Sequence, residues 1–213
     1  MKKALIVGID AYPEKPLSGC VNYAVAIANT LEKNGDGSPN FAVRLLTSNS
    51  IDDVSTKALS IATSELFSVD ADTVLLFFAG HGIIDPNTNA GFIVSQNGTT
   101  GAWGVSLSDI LALANKAYPR IKSTVIILDS CHSGFTGEVP AIGNQQIAAI
   151  GSGVTILTAC HRNGTATEEN GHGLFTALLI DGLSGAAADI LSLIHISEPT
   201  RRTPISYAVF CLK

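Results

Sequence analysis

The run from Val125 to Gly134, VIILDSCHSG, constrains the fold of this chain more than any other stretch. Consecutive β-branched and leucine residues that give way to small and polar ones are typical of a central parallel strand covered by helices on both faces of its sheet. The predicted strand ends at Cys131. Ligands and catalytic groups collect where the parallel strands of such sheets end. We therefore expect Cys131 to lie at a functional edge.

The rest of the chain alternates short apolar runs with segments whose apolar residues recur at helical spacing. We expect strands over 3–9, 41–46, 73–79, 91–95, 125–131 and 154–159, and helices over 21–31, 54–66, 107–114 and 174–183. Ser50 and Asp53 form a possible capping box for the second helix, and the third strand ends at Gly80-His81-Gly82. Strands that alternate with amphipathic helices form a mainly parallel sheet with right-handed crossovers. The pattern predicts one three-layer α/β domain.

Composition excludes several classes of protein. The 213 residues are 46% hydrophobic and carry a formal charge of -5, without a run of Lys or Arg. This argues against binding to nucleic acid or to an anionic membrane surface, and no apolar span is long enough for a membrane helix. The four cysteines have no closely spaced framework, so a reducing cytoplasm is expected. Peptides, proteins or small molecules are the expected partners.

A histidine and a cysteine follow two of the predicted core strands. A thiol becomes a nucleophile when it is deprotonated, and an adjacent imidazole can favour the thiolate and later protonate a leaving amine. If the strands are neighbours, His81 and Cys131 emerge at one edge of the sheet. Gly82 and Cys131 can offer backbone N–H groups to an oxyanion. The sequence predicts a catalytic dyad; the alternative is a small buried cysteine and a loop histidine.

Several motifs resemble those of the metacaspases and bacterial caspase-like peptidases. They are Ala79-Gly80-His81-Gly82, Asp129 to Gly134, Leu17 to Asn22 and Glu168 to Leu183. His81 also lies about 50 residues before Cys131, which is the caspase spacing. The resemblance implies a caspase-like fold and a cysteine endopeptidase that cleaves after Arg or Lys. It assigns Cys131 as the nucleophile, His81 as the general acid/base and Gly82 as an oxyanion donor.

The resemblance also implies a set of substrate-binding positions. Asp129 corresponds to an acidic residue of the primary specificity pocket, where it would pair with a basic side chain; the alternative is that it caps local N–H groups. Cys20 belongs to the early motif, but Tyr23 stands where family members have an acidic residue. Ala79 stands where a serine is common. Because two polar contributors are replaced, the peptidase chemistry is predicted more firmly than the preference for Arg or Lys.

The sequence predicts no cofactor. Five residues are candidate zinc ligands by residue type: His81, Cys131, His132, Cys160 and His161. The C-x-x-C or H-x-x-x-H spacings that build most zinc sites are absent, so we predict none. Calcium activates some relatives, but no compact acidic loop supports it here.

The last 23 residues differ in character from the rest. Residues 191–213 resemble the translation of a sequencing-library adapter, with a genuine strand near 207–212 as the alternative. We therefore assign 1–190 to a caspase-like peptidase domain that is truncated at its carboxyl end, and leave the oligomeric state open. A non-catalytic caspase-like interaction module and a thiol acyltransferase remain as competing functions.

Overall fold

The computed structural model describes residues 1–48, 53–131, 150–159, 168–169 and 172–186. Its strands are β1 (Lys2–Gly8), β2 (Phe41–Thr47), β3 (Thr73–Ile84), β4 (Gly91–Thr99), β5 (Ala102–Ser106), β6 (Ser123–Cys131), β7 (Val154–Thr158), β8 (Glu168–Glu169) and β9 (His172–Gly173). Its helices are α1 (Cys20–Glu32), α2 (Thr56–Ser68), α3 (Leu107–Ala117) and α4 (Leu174–Asp181), and a π-helical turn, Gly182–Ala186, follows α4.

The central sheet is parallel in the order β2-β1-β3-β6-β7. The predicted α/β class and mainly parallel sheet are confirmed. At its carboxyl end β3 also pairs with β4, and β4 pairs with β5, both in the antiparallel sense. The expected short strand over 91–95 is therefore half of a β-hairpin. A separate two-stranded ladder joins β8 and β9.

Side chains of β3 alternate between two hydrophobic clusters, one on each face of the sheet. Leu76 and Phe78 join the cluster under α2 and α3, whereas Leu75 and Phe77 join the cluster under α1 and α4. Phe77 and Phe78 are fully buried, and burial of such a side chain contributes about 1.5–3 kcal/mol. Because helices cover both faces of the sheet, β3 is a continuous apolar run and does not alternate apolar with polar residues.

The prediction that β3 ends before Gly80 is wrong, because the strand continues to Ile84. β1 accompanies β3 only as far as the pair Gly8 and Ala79. β4 then pairs with the last residues of β3, from Gly82 to Ile84. The second partner supplies the backbone hydrogen bonds that let the strand continue through the glycine-rich segment.

The predicted start of the second helix is also wrong. Ser50 lies outside the described residues, and the N-cap of α2 is Ser55, whose side chain accepts a hydrogen bond from the Ala58 N–H. The helix start is set by the β4–β5 hairpin, since Asn97 Oδ1 accepts the Thr56 N–H at 2.9 Å. The N-cap of α3 is Ser106, whose Oγ accepts the Asp109 N–H at 3.0 Å.

Asp85 joins the end of β3 to the β4–β5 hairpin. Its Oδ2 accepts the indole N–H of Trp103 at 2.9 Å, and its Oδ1 accepts the backbone N–H groups of Asn87 at 2.9 Å and Thr88 at 3.0 Å. The Trp103 hydrogen bond, followed by those from the backbone, lowers the pKa of Asp85 below its usual value. The ionised carboxylate therefore stabilises this part of the fold.

We expect the environment of Trp103 to change at acidic pH. Because the folded pKa of Asp85 is depressed, its stabilisation is complete above the unfolded value, about pH 4, and is lost as the pH falls through the folded pKa. Trp103 is the single tryptophan, so its emission should shift to the red in that window. The Asp85→Asn variant should show no transition of this kind. If the variant and the wild type shift together, Asp85 does not control the change.

Three of the predicted features lie wholly or mostly outside the described residues: His132, the pair Cys160 and His161, and segment 191–213. The strand expected over 154–159 is confirmed as β7, and the last helix is confirmed as α4. In the part of the chain that the structure describes, no helix is both long and apolar enough to cross a membrane.

Candidate active site

His81 and Cys131 occupy partner positions on adjacent parallel strands. In the register of β3 and β6, Ala79 pairs with Asp129, Gly80 with Ser130 and His81 with Cys131. Neighbouring strands lie about 4.8 Å apart. Cys131 is the last residue of β6, so the pair stands where the parallel ladder ends. The expectation that the two strands are neighbours is confirmed.

The imidazole of His81 is oriented by a backbone carbonyl. Its Nε2 lies 2.7 Å from the carbonyl oxygen of Lys15. A carbonyl can only accept, so Nε2 must carry the proton, and in the neutral ring Nδ1 is then the acceptor. His81 is half-buried. The structure thus supplies a histidine whose orientation and tautomer are set by a third group, which is the arrangement expected of a catalytic base.

Asp10 anchors the loop that carries Lys15. Its carboxylate accepts the N–H groups of Cys20 at 2.9 Å and Val21 at 3.1 Å, which are the first residues of α1. Its own carbonyl accepts the Leu17 N–H at 2.8 Å. A carboxylate at a helix N-terminus satisfies unpaired N–H groups and interacts favourably with the helix dipole. Both ends of the loop from 11 to 19 are therefore fixed.

Asp129 lies two residues before the end of β6 and is buried, with 4% of its surface exposed. Its carboxylate accepts a hydrogen bond from the hydroxyl of Thr176 on α4, and Thr176 is fully buried. Thr176 belongs to the late motif noted in the sequence. The structure thus brings that motif to the residue two positions before Cys131.

Cys20, Tyr23 and Ala79 lie together, in the hydrophobic cluster between the sheet and α1. Each is buried, and Phe175 of α4 belongs to the same cluster. Their packing is that of core residues, and Ala79 is the direct strand partner of Asp129. The three positions therefore belong to one buried cluster, and Ala79 joins it to the strand position of Asp129.

Sequence reasoning assigned no role to Lys15, Tyr12 or Thr176. Lys15 contributes only its main-chain carbonyl, and because every residue has one, the sequence carries no signal for it. Tyr12 contacts His81 through its ring, with the ring centroids 4.5 Å apart, and its hydroxyl accepts the His81 N–H at 3.0 Å. Thr176 could have been noticed as the one hydroxyl in the apolar run LFTALLI. Among the described residues, no group of three or more His, Cys, Asp or Glu side chains could hold a metal ion.

Comparison with known proteins identifies the family. The sequence model of the family described as "Caspase domain" matches residues 1–198. This chain belongs to the caspase-domain family. A solved structure described as "structure of pro-sf-caspase-1" is 14% identical in sequence, with a TM-score of 0.59 over 90% of this chain and 76% of that chain. No curated protein matches the chain significantly.

These matches bear on two of the predictions made from the sequence. The solved structure confirms the predicted caspase-like fold. At 14% sequence identity, the similarity concerns the fold alone. Membership of the caspase-domain family implies in general terms a cysteine peptidase that acts on protein substrates.

Proposed function

We propose that this protein is a cysteine endopeptidase in which His81 and Cys131 form the catalytic dyad. The observation that carries the proposal is their paired position at the end of β3 and β6, with the imidazole held by the Lys15 carbonyl. A dyad needs a nucleophile and a base on one rigid support, and two hydrogen-bonded strands provide it.

The reaction follows from the tautomer of His81. Nδ1 is the basic nitrogen, so it takes the thiol proton of Cys131, and the thiolate attacks the substrate carbonyl. The tetrahedral intermediate collapses when the C–N bond breaks and the amine leaves with the proton from Nδ1, which gives an acyl-enzyme. Water then attacks the thioester, Nδ1 again accepting a proton. The C–S bond then breaks, which releases the acid, and Nδ1 returns its proton to the sulfur to restore the thiol.

Gly82 is suited to donate a hydrogen bond to the oxyanion. Successive N–H groups of a strand point to opposite edges. The His81 N–H points to Tyr12, on the edge where β4 pairs. The Gly82 N–H therefore points towards the β6 edge, just beyond Cys131, the last paired residue of β6. A backbone donor fixed by the sheet can stabilise developing negative charge without reorganisation.

In this proposal, cleavage after Arg or Lys depends on Asp129. The carboxylate is buried and held by Thr176, and its direct strand partner, Ala79, carries no charge. A basic substrate side chain would have to reach this carboxylate. We propose cytoplasmic peptides or proteins as substrates, because a reducing compartment keeps the thiol of Cys131 available.

The proposal is tested by incubating the purified protein with a peptide library and, separately, with an electrophilic peptide probe. We expect cleavage at defined bonds, a covalent adduct on Cys131, and a profile at the residue before the scissile bond that shows whether basic side chains are preferred. A folded protein that neither cleaves nor labels would support a non-catalytic interaction module. Hydroxylamine-sensitive acyl transfer without peptide cleavage would instead indicate an acyltransferase.

A further inference from the structure

The sheet changes partners next to the proposed dyad. On one edge of β3, pairing with β1 ends at Ala79 and pairing with β4 begins at Gly82, opposite Ile93. If the β4 register continued by one residue, His81 would face Val94, and the two would exchange a ladder hydrogen bond.

A tyrosine hydroxyl fills that position. The His81 N–H donates to Tyr12 Oη at 3.0 Å, and Tyr12 Oη donates to the Val94 carbonyl at 3.0 Å. Tyr12 and Val94 are buried, with 7% and 8% of their surfaces exposed. The hydroxyl therefore replaces a direct backbone bond between β3 and β4 and satisfies two buried main-chain groups that would otherwise be separated.

The same side chain contacts the His81 ring. The two rings are tilted by 50°, with centroids 4.5 Å apart. Gly80 makes room for this contact, because a Cβ at residue 80 would lie 2.5 Å from Tyr12 Oη. The glycine that precedes the histidine is thus required by the close approach of Tyr12 to the strand.

We infer that Tyr12 is a positioning residue for His81. This inference rests on the proposed function. Tyr12 holds the β3 backbone at His81 through its hydroxyl and limits the tilt of the imidazole through its ring. It belongs to the same loop as Lys15, whose carbonyl binds Nε2. One loop between β1 and α1 therefore sets the backbone, the ring plane and the tautomer of the histidine.

The test is Tyr12→Phe, which keeps the ring and removes the hydroxyl. We expect kcat for peptide cleavage to fall about tenfold, or about 1.4 kcal/mol in activation free energy, with KM changed less than about twofold. The matched control is Tyr118→Phe, which removes the hydroxyl of an exposed tyrosine and should leave both constants unchanged. Gly80→Ala should also lower kcat, because its Cβ would displace the Tyr12 hydroxyl from the strand.

A measurement that needs no turnover separates this inference from the proposed function. Nitrogen-15 NMR of the imidazoles, with the His81 signals assigned by their loss in His81→Asn, reports which ring nitrogen is protonated. We expect the Nε2–H tautomer in the wild type and a mixture of tautomers in Tyr12→Phe, because loss of the hydroxyl releases the His81 backbone and lets Nε2 move away from the Lys15 carbonyl. An inactive wild type that shows this change overturns the function but supports the inference. Unchanged kcat in an active enzyme, or an unchanged tautomer in either case, overturns the positioning role.

Discussion

Replacing Cys131 with alanine should lower kcat/KM for peptide cleavage by at least about 10³-fold, because it removes the sulfur on which the proposed acyl-enzyme forms. His81→Ala removes the residue that we propose both generates the thiolate and protonates the amine, and we expect a loss of about 10²–10⁴-fold. In the proposed mechanism the two residues act as a unit. The double variant should therefore be no less active, within about threefold, than the worse of the two single variants.

A matched substitution elsewhere controls for nonspecific effects. Cys211→Ala lies outside both the domain predicted from the sequence and the residues that the caspase-domain family matches, and it should keep wild-type activity. Circular dichroism and thermal unfolding should show that the dyad variants are folded. Wild-type cleavage by Cys131→Ala or by His81→Ala would rule out the dyad.

The strands were predictable because burial on both faces leaves a strong signal. Thr73 to Phe78 and Val125 to Leu128 are continuous apolar runs, and both form central strands of the sheet. Their adjacency was expected only on a condition, because strands of consecutive βα units are often but not always neighbours. The successive strands β2 and β3, for example, are separated by β1, whereas the register of β3 and β6 places His81 and Cys131 side by side.

The details that orient His81 could not be predicted. They depend on a main-chain carbonyl of Lys15 and on a hydroxyl that reaches His81 across 69 positions of the chain. Every residue has a carbonyl, and an isolated tyrosine in a loop has no pattern. The extension of β3 to Ile84 was missed for a related reason. Gly80 and Gly82 are typical of a strand end, and only the partner strand β4 overrides that local preference.

The start of α2 illustrates the same limit. Ser50 and Ser55 both precede the apolar stripe, and local sequence favours the serine with an acidic residue three positions later. The hairpin decides between them. Gln96 Oε1 accepts the Val54 N–H at 3.1 Å and Asn97 Oδ1 accepts the Thr56 N–H, which fixes the backbone just before the helix. Tertiary contacts therefore select the cap that periodicity alone leaves ambiguous.

Gly8→Ala is expected to destabilise the protein by about 1–3 kcal/mol, because the site has no room for a methyl group. A Cβ on Gly8 would lie 2.5 Å from the carbonyl oxygen of Cys20 and 2.7 Å from Cβ of Ala24. Both belong to α1, whose first turn is held by the Asp10 carboxylate, so the helix cannot move away without breaking those hydrogen bonds. Urea unfolding should show a lower midpoint with an unchanged m-value.

The control is Gly35→Ala, since a Cβ at that position meets nothing within 4 Å. Its free energy of unfolding should stay equal to that of the wild type or rise by up to about 1 kcal/mol, because alanine restricts the unfolded chain. Equal midpoints for the two variants would show that α1 can shift freely. If it cannot, the strain at Gly8 is transmitted to the loop between Asp10 and Cys20, which carries Tyr12 and Lys15. Peptide cleavage by Gly8→Ala should then fall even at temperatures where the variant is fully folded, and activity that follows only the folded fraction would contradict this coupling.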